Sequence, residues 1–188
     1  TLVLLNGIPI NDQGSPKVMF DFGYDFLQGL QQIEIYKGAS GAIFGPAAIG
    51  GAINFVTAID YENSASFSAT DKRNNSLSGN YTYITDSGWH HNVKGGSYQS
   101  EDITATNAKP DLDGTKNLSL NYNSQKYLSD NLKFKGTGYL RRTNTVYDKS
   151  ADELARGVNT MYAIQSSLEN KTDSKLDSLT AHVHVYYR

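Results

Sequence analysis

The stretch that decides the fold is residues 33–57, IEIYKGASGAIFGPAAIGGAINFVT. Two β-like runs, Ile33 to Tyr36 and Ala52 to Thr57, flank a segment carrying Gly38, Gly41, Gly45, Gly50 and Gly51, with no cysteine, no histidine and no acid after Glu34. That pattern answers a need for close backbone approach, not for catalysis. Gly38 and Gly45 can take positive φ at the ends of a short helix over Ala39 to Phe44, and Pro46 prevents its continuation. Gly50 and Gly51 let the backbone press on a neighbouring wall. A phosphate-cradling loop would need a G-K-[ST] ending, whereas Ala39 follows Gly38 and Pro46 follows Gly45.

Composition narrows the class. The 188 residues are 38% hydrophobic and 19% charged, low on both counts for a domain with one large core, and the balance is Ser, Thr, Asn, Gly and Tyr. Tyrosine, apolar in its ring and wet at its tip, occurs 13 times against one tryptophan. A net charge of -2 without a Lys/Arg-rich run argues against a nucleic-acid partner. The absence of cysteine excludes a disulfide scaffold and a thiolate metal site. A chain that opens at Thr1 and stops at Arg188, each inside an apolar run, reads as a piece of a longer protein.

Near residue 60 the pattern changes. Before it lies a small mixed α/β unit; after it the chain is almost wholly period two. In SASFSAT (64–70) Ala65, Phe67 and Ala69 alternate with Ser64, Ser66, Ser68 and Thr70. The alternation recurs in Leu77, Gly79, Tyr81 and Tyr83 against Ser76, Ser78, Asn80 and Thr82, and more weakly in Trp89 and Val93. Leu118, Leu120 and Tyr122 oppose Asn117, Ser119, Asn121 and Asn123; Leu132, Phe134 and Leu140 oppose Lys133, Lys135, Thr137 and Arg141. Tyr162, Ile164 and Leu168 oppose Gln165, Ser167 and Glu169, and Leu179 to Tyr187 repeats the scheme with His182 and His184 on its polar face.

The intervals between strands add a second signal. TDSG (85–88), YLSDN (127–131) and KTDSK (171–175) are short, whereas 99–114 and 144–159 are expected to be long loops. Short turns on one rim and long loops on the other are how outer-membrane barrels are built, and strands of about ten residues tilted ~40° rise about 25 Å, the height of their apolar band. The polar face holds mainly Ser, Thr and Asn, suited to a hydrogen-bonding lumen, where a soluble sheet would carry charges. The other class of function, a soluble or surface-exposed β-domain for adhesion or hydrolysis, would instead point the apolar face into a dry core.

Residues 33–57 closely resemble the end of the plug domain of TonB-dependent outer-membrane receptors: a strand, Lys37-Gly38, a short helix, Phe44-Gly45, and Ala48-Ile49-Gly50-Gly51-Ala52-Ile53-Asn54 in that order. VLLNGIPIND (3–12) resembles the family's plug strand, usually written with Asp where this chain has Asn6. The resemblance implies a mainly β chain: the C-terminal part of a mixed α/β plug (1–60) followed by about seven antiparallel strands of a transmembrane β-barrel (61–188). It implies a location in the bacterial outer membrane, no enzymatic activity, and energy-coupled uptake of a scarce nutrient, cobalamin or an iron chelate. The implied partners are the TonB protein, a small-molecule chelate or vitamin and membrane lipid, with no nucleic acid. Lys37, Gly38, Gly45, Gly50, Gly51 and Asn54 are expected to serve plug packing. Asn11, Asp12, Gln13, Gly14 and Ser15 are candidates for ligand contact, with an ordinary polar turn as the open alternative.

The strand spacing is most like that of vitamin B12 receptors, which bind calcium in acidic loops. No cofactor is required, but this likeness makes Asp111, Asp113 and Asp148 candidate calcium ligands in the extracellular loops, with Glu101 and Asp102 as additions. Residues 99–114 hold four acids and one lysine, which an ordinary solvated loop also explains. His90 and His91, or His182 and His184, could in geometry hold zinc, but strand histidines facing a polar lumen serve equally as hydrogen-bonding groups.

Overall fold

A computed structural model of the chain describes residues 1–11, 30–39, 41–57, 59, 61–70, 74–101, 114–150, 153–172 and 175–187. It divides into two units, Thr1–Ala58 and Ile59–Arg188.

The first unit is organised by β1 (Leu2–Leu5), an unbroken apolar run buried along its whole length. β1 lies parallel to β4 (Ala52–Thr57), Leu2 opposite Ala52 and Leu5 opposite Phe55. Antiparallel β3 (Leu30–Tyr36) flanks β4, and the two-residue β2 (Ile8–Pro9) flanks β1, giving the order β2-β1-β4-β3. Leu2, Leu4, Ala48 and Ala52 form a core cluster with Tyr36 and Phe44 packed against it, and the Tyr36 and Phe44 rings meet edge to face at 4.8 Å. The helix expected over Ala39 to Phe44 appears as α1 (Gly41–Phe44), and Pro46 begins a 3-10 turn, Pro46–Ala48, instead of continuing it.

Within the stretch that resembles the plug strand, VLLNGIPI (3–10) is a hairpin and not one strand. Asn6 and Gly7, at φ 51° and 82°, make the two-residue turn of type I′ geometry that an Asn-Gly pair between apolar runs favours. Asn6 also ties this turn to β4: its Oδ1 accepts from the Thr57 N–H at 2.9 Å and its Nδ2 donates to Thr57 Oγ1 at 2.8 Å. Asn6→Asp is therefore expected to cost under about 1 kcal/mol, because the Thr57 hydroxyl can turn round and donate to the carboxylate. Asn6→Val, which loses both bonds and forces a β-branched residue to positive φ, is expected to cost about 2–3 kcal/mol in urea unfolding of this unit.

The second unit is a meander of seven antiparallel strands in the order β11-β10-β9-β8-β7-β6-β5. They are β5 (Ser64–Ala69), β6 (Asn75–Ile84), β7 (His90–Glu101), β8 (Gly114–Tyr127), β9 (Leu132–Ser150), β10 (Glu153–Thr172) and β11 (Lys175–Tyr187). Residues 85–89 and 128–131 connect β6 to β7 and β8 to β9 at one rim, where the paired ends of β10 and β11 also lie; the other ends of the strands lie at the opposite rim. The expected loop at 144–159 is instead the top of a long hairpin, with Val146 opposite Arg156 and Asn144 opposite Val158. The loop reading followed the loss of apolar contrast. Above an apolar band both faces of a strand meet polar surroundings, so the contrast fades while the ladder continues.

The two faces of this sheet are inverted relative to a soluble core. Phe67, Tyr81, Leu120 and Ile164 are 73%, 60%, 46% and 66% exposed, whereas Asn92, Asn117, Asn121 and Thr143 on the opposite face are buried. The cross-strand register keeps each set together: Tyr81–Val93–Tyr122 on one face, Thr82–Asn92–Asn123–Thr137 on the other.

Candidate functional site

In the first unit Asn54, one of the residues expected to serve packing, joins Gly7, Glu34 and Tyr36 in one hydrogen-bonded network. Asn54 Oδ1 accepts from the Gly7 N–H at 2.9 Å, and its Nδ2 donates to Glu34 Oε2 at 2.9 Å. Tyr36 donates to the same carboxylate at 2.9 Å. Gly51, at φ 101°, lies so close to β3 that a Cβ would run into the Tyr36 carbonyl oxygen; the wall it presses on is the neighbouring strand of its own unit. Gly38 and Gly45 take φ 82° and 84°, and Lys37 is exposed.

The bonds from Asn54, chiefly, and from Tyr36 hold the Glu34 carboxyl below its ordinary 4.5, and the shared bond raises the Tyr36 phenol. A depressed carboxyl contributes stability above its unfolded-state pKa and loses it as pH falls through the folded one. The urea midpoint of this unit is thus expected to drop as the pH is lowered beneath 4.5, and Glu34→Gln should flatten that part of the profile. An identical profile in the variant would contradict the network's role.

Of the ligand-contact candidates, Asn11 is buried, its Oδ1 accepting from the Val3 N–H and its Nδ2 donating to the Thr1 carbonyl at 3.4 Å. Asp12, Gln13, Gly14 and Ser15 lie outside the described residues, as do Asp102, Asp111 and Asp113. Asp148 belongs to β9, opposite Leu154, and not to a loop. Among the described residues no group of three or more His, Asp or Glu stands together as a metal site.

The second unit's polar face is built from amide ladders that residue types alone did not reveal, because they depend on register. Asn92 Nδ2 donates to Asn80 Oδ1 and Thr82 Oγ1 at 2.6 and 2.8 Å. Thr137 donates to Asn123 Oδ1 at 3.1 Å and Asn117 to Thr143 at 3.1 Å. Lys135 and Glu169 pair at 2.7 Å on the same face. Asn117 Oδ1 and Asn121 Nδ2 are buried with no hydrogen-bond partner among the described residues, which leaves an acceptor and a donor for water or another polar surface.

At the short-turn rim the opposite face carries aromatic side chains. Trp89 stacks on His91 at 5.9 Å and meets Phe134 edge-on at 5.7 Å; His91 Nδ1 bonds the Tyr122 hydroxyl at 2.7 Å; Lys126 lies over the Trp89 ring. Amphipathic rings with a lysine beside them are the composition of a membrane–water boundary.

Residues 1–52 match the family model described as TonB-dependent Receptor Plug Domain. The chain superposes on the crystal structure of the siderophore receptor PiuA from Acinetobacter baumannii with a TM-score of 0.68, at 13% identity, over 98% of this chain and 30% of that one. It also superposes on the siderophore receptor PirA from the same organism with a TM-score of 0.69, at 18% identity, over 97% and 31%. The chain thus spans about three tenths of the length of these structures, and at such identities the likeness shows the fold: a plug followed by part of a barrel wall. No curated protein matches the chain. Neither structure is of a vitamin B12 receptor, so the likeness to that branch drawn from strand spacing gains nothing here.

Proposed function

From a chain that carries the plug of a TonB-dependent receptor ahead of the first strands of its barrel, we propose that the intact protein takes up a ferric siderophore across the bacterial outer membrane, driven by TonB. The observation that supports the reading is a plug match followed along the chain by a sheet whose apolar face is exposed and whose amide-lined face is buried. A wide barrel needs a folded plug in its lumen, and the hydrogen-bonded hairpin around Asn6, Asn54 and Glu34 makes this one a compact gate. The outward apolar face meets lipid, and the inward amides offer a polar passage once the plug moves. Neither step calls for a catalytic group.

The iron-chelate choice follows the two structural neighbours, both siderophore receptors. The test is uptake by a Gram-negative strain lacking its own iron receptors and expressing the full-length protein. Accumulation of at least one ferric siderophore that stops when TonB is deleted is the expected result. Uptake of radiolabelled cyanocobalamin with no ferric siderophore transported would reassign the cargo, and uptake that persists without TonB would overturn the mechanism. Residues 11–15 remain the proposed ligand-contacting loop. Because Asn11 is committed to the β1 backbone, Gln13→Ala with Asp12→Ala is the cleaner probe, expected to weaken binding by roughly 1–3 kcal/mol at unchanged abundance.

A further inference from the structure

The first unit continues into the second through its last strand: Thr57 ends β4, and Ser64 begins β5. Its other end, Thr1, leads straight into β1, which runs parallel to β4 with Leu2 opposite Ala52 and Leu5 opposite Phe55. The chain therefore enters the β1–β4 pair at one end and leaves it at the other, so a pull between Thr1 and Thr57 drives the two strands past each other along their own axes. Every bond that joins the pair resists at once. Those bonds reach beyond the ladder: the Leu2 N–H donates to the Gly51 carbonyl at 3.0 Å and the Asn6 N–H to the Phe55 carbonyl at 2.8 Å. The turn adds the bond from the Gly7 N–H to Asn54 Oδ1 at 2.9 Å and the two bonds between Asn6 and Thr57, at 2.9 and 2.8 Å.

β3 stands differently under the same pull. It is antiparallel to β4, and its first residue, Leu30, lies opposite Thr57, the end at which β4 is held. Once β1 has gone, tension reaches β3 at that same end and parts the hairpin one pair at a time. Strands parted in sequence resist far less than strands sheared together, because a single pair carries the force at any moment. We propose that the β1–β4 pair, fastened by Asn6 to Thr57, is a mechanical lock that keeps tension off the residues between its two strands until it shears, after which the first unit extends with no further barrier of comparable height. The inference rests on the TonB-driven reading above, which supplies a partner able to pull.

The test is force-clamp spectroscopy on the full-length receptor in a supported membrane, with the barrel held by the bilayer and the cantilever tethered to a single cysteine, Thr1→Cys, in a protein freed of other thiols. The expected record is one abrupt extension of about 190 Å, the drawn-out length of Thr1–Ala58 at ~3.4 Å per residue, with no lengthening before it. Thr57→Val removes the hydroxyl that accepts from Asn6 and keeps the backbone donor, so the lifetime at a given force should shorten about fivefold; Asn6→Val should shorten it about twentyfold or more. Gly38→Ala, which strains a residue at φ 82° outside the pair, should lower the urea midpoint yet leave the lifetime under force as in the parent. Stepwise lengthening from position 1 at lower force, an unchanged lifetime in Thr57→Val, or an equal shortening in Gly38→Ala would each overturn the proposal. Thr57→Val suffices if the first unit of Asn6→Val does not fold. Siderophore uptake by the parent with and without TonB reports separately on the transport reading, so its failure is distinguishable from absence of the lock.

Discussion

Leu120→Arg in the intact receptor is expected to destabilise the barrel by about 2–4 kcal/mol, the scale for an arginine facing the middle of a bilayer. Leu120 sits between Gly95 and Leu140 on the outward face, within the band flanked by Val93, Tyr122 and Tyr162. In a soluble sheet a leucine that is 46% exposed could be replaced by arginine at almost no cost, since a side chain of that length reaches water. Ser78, on the opposite face of β6 with Ser66 and Gly96 across from it, is the control: Ser78→Arg should leave unfolding in detergent or vesicles within about 1 kcal/mol of the parent. Equal, small effects at both positions would remove lipid from the account of the outward face.

Gly51→Val should be comparably severe, on the order of 3 kcal/mol or more, through two separate mechanisms. The backbone at φ 101° is strained for any L side chain, and a Cβ there meets the Tyr36 carbonyl, a backbone atom of β3 that can move only if the β3–β4 ladder opens. The functional consequence is a plug that seats badly. Cells carrying the variant should admit large antibiotics and lose ligand uptake, while outer-membrane abundance is maintained by the untouched barrel. Unchanged permeability together with unchanged uptake would contradict the role given to Gly51. Gly50 provides the contrast: a Cβ there meets only the first residue, Thr1, at 3.7 Å, so Gly50→Ala should be mild.

The architecture was legible where it depends on local pattern. Alternation in SASFSAT or NLSLNYN needs only neighbours along the chain, but it leaves open which face is buried; the Ser, Thr and Asn of the polar face pointed to the inverted arrangement, and the exposed Leu120 and buried Asn121 agree with it. The glycine-rich segment announced tight backbone packing because positive φ at Gly38 and Gly45 and the approach of Gly51 to Tyr36 demand glycine whatever surrounds them. Pairing partners were less legible. The Asn6-Gly7 hairpin carried its signal in the dipeptide, but the apolar run LVLLNGIPI reads as continuous unless the turn chemistry is weighed first. The extension of β9 and β10 past residue 144 was hidden because hydrophobic contrast reports the surroundings of a strand, not its hydrogen bonds. Glu34 and Asn54 as partners, and the amide ladder through Asn80 and Asn92, depend on register across 20 and 12 residues of sequence, which composition does not encode. The candidate ligand-contact residues 11–15 and the acidic residues Asp111 and Asp113 depend on tertiary placement still more, and there the sequence offers candidates only.

The measurement that bears most directly on the central claim is single-cysteine accessibility along β8. These 188 residues contain no cysteine, so substitutions at positions 118 to 123 can be placed one at a time in a full-length receptor freed of any other thiol. Each is spin-labelled in the native membrane and read for collision with oxygen, which concentrates in lipid, and with a water-soluble nickel chelate. The account predicts a strict period of two: Leu118, Leu120 and Tyr122 accessible to oxygen, Ser119, Asn121 and Asn123 shielded from it. Oxygen accessibility at Ser119, Asn121 and Asn123, with Leu118, Leu120 and Tyr122 protected, would contradict it.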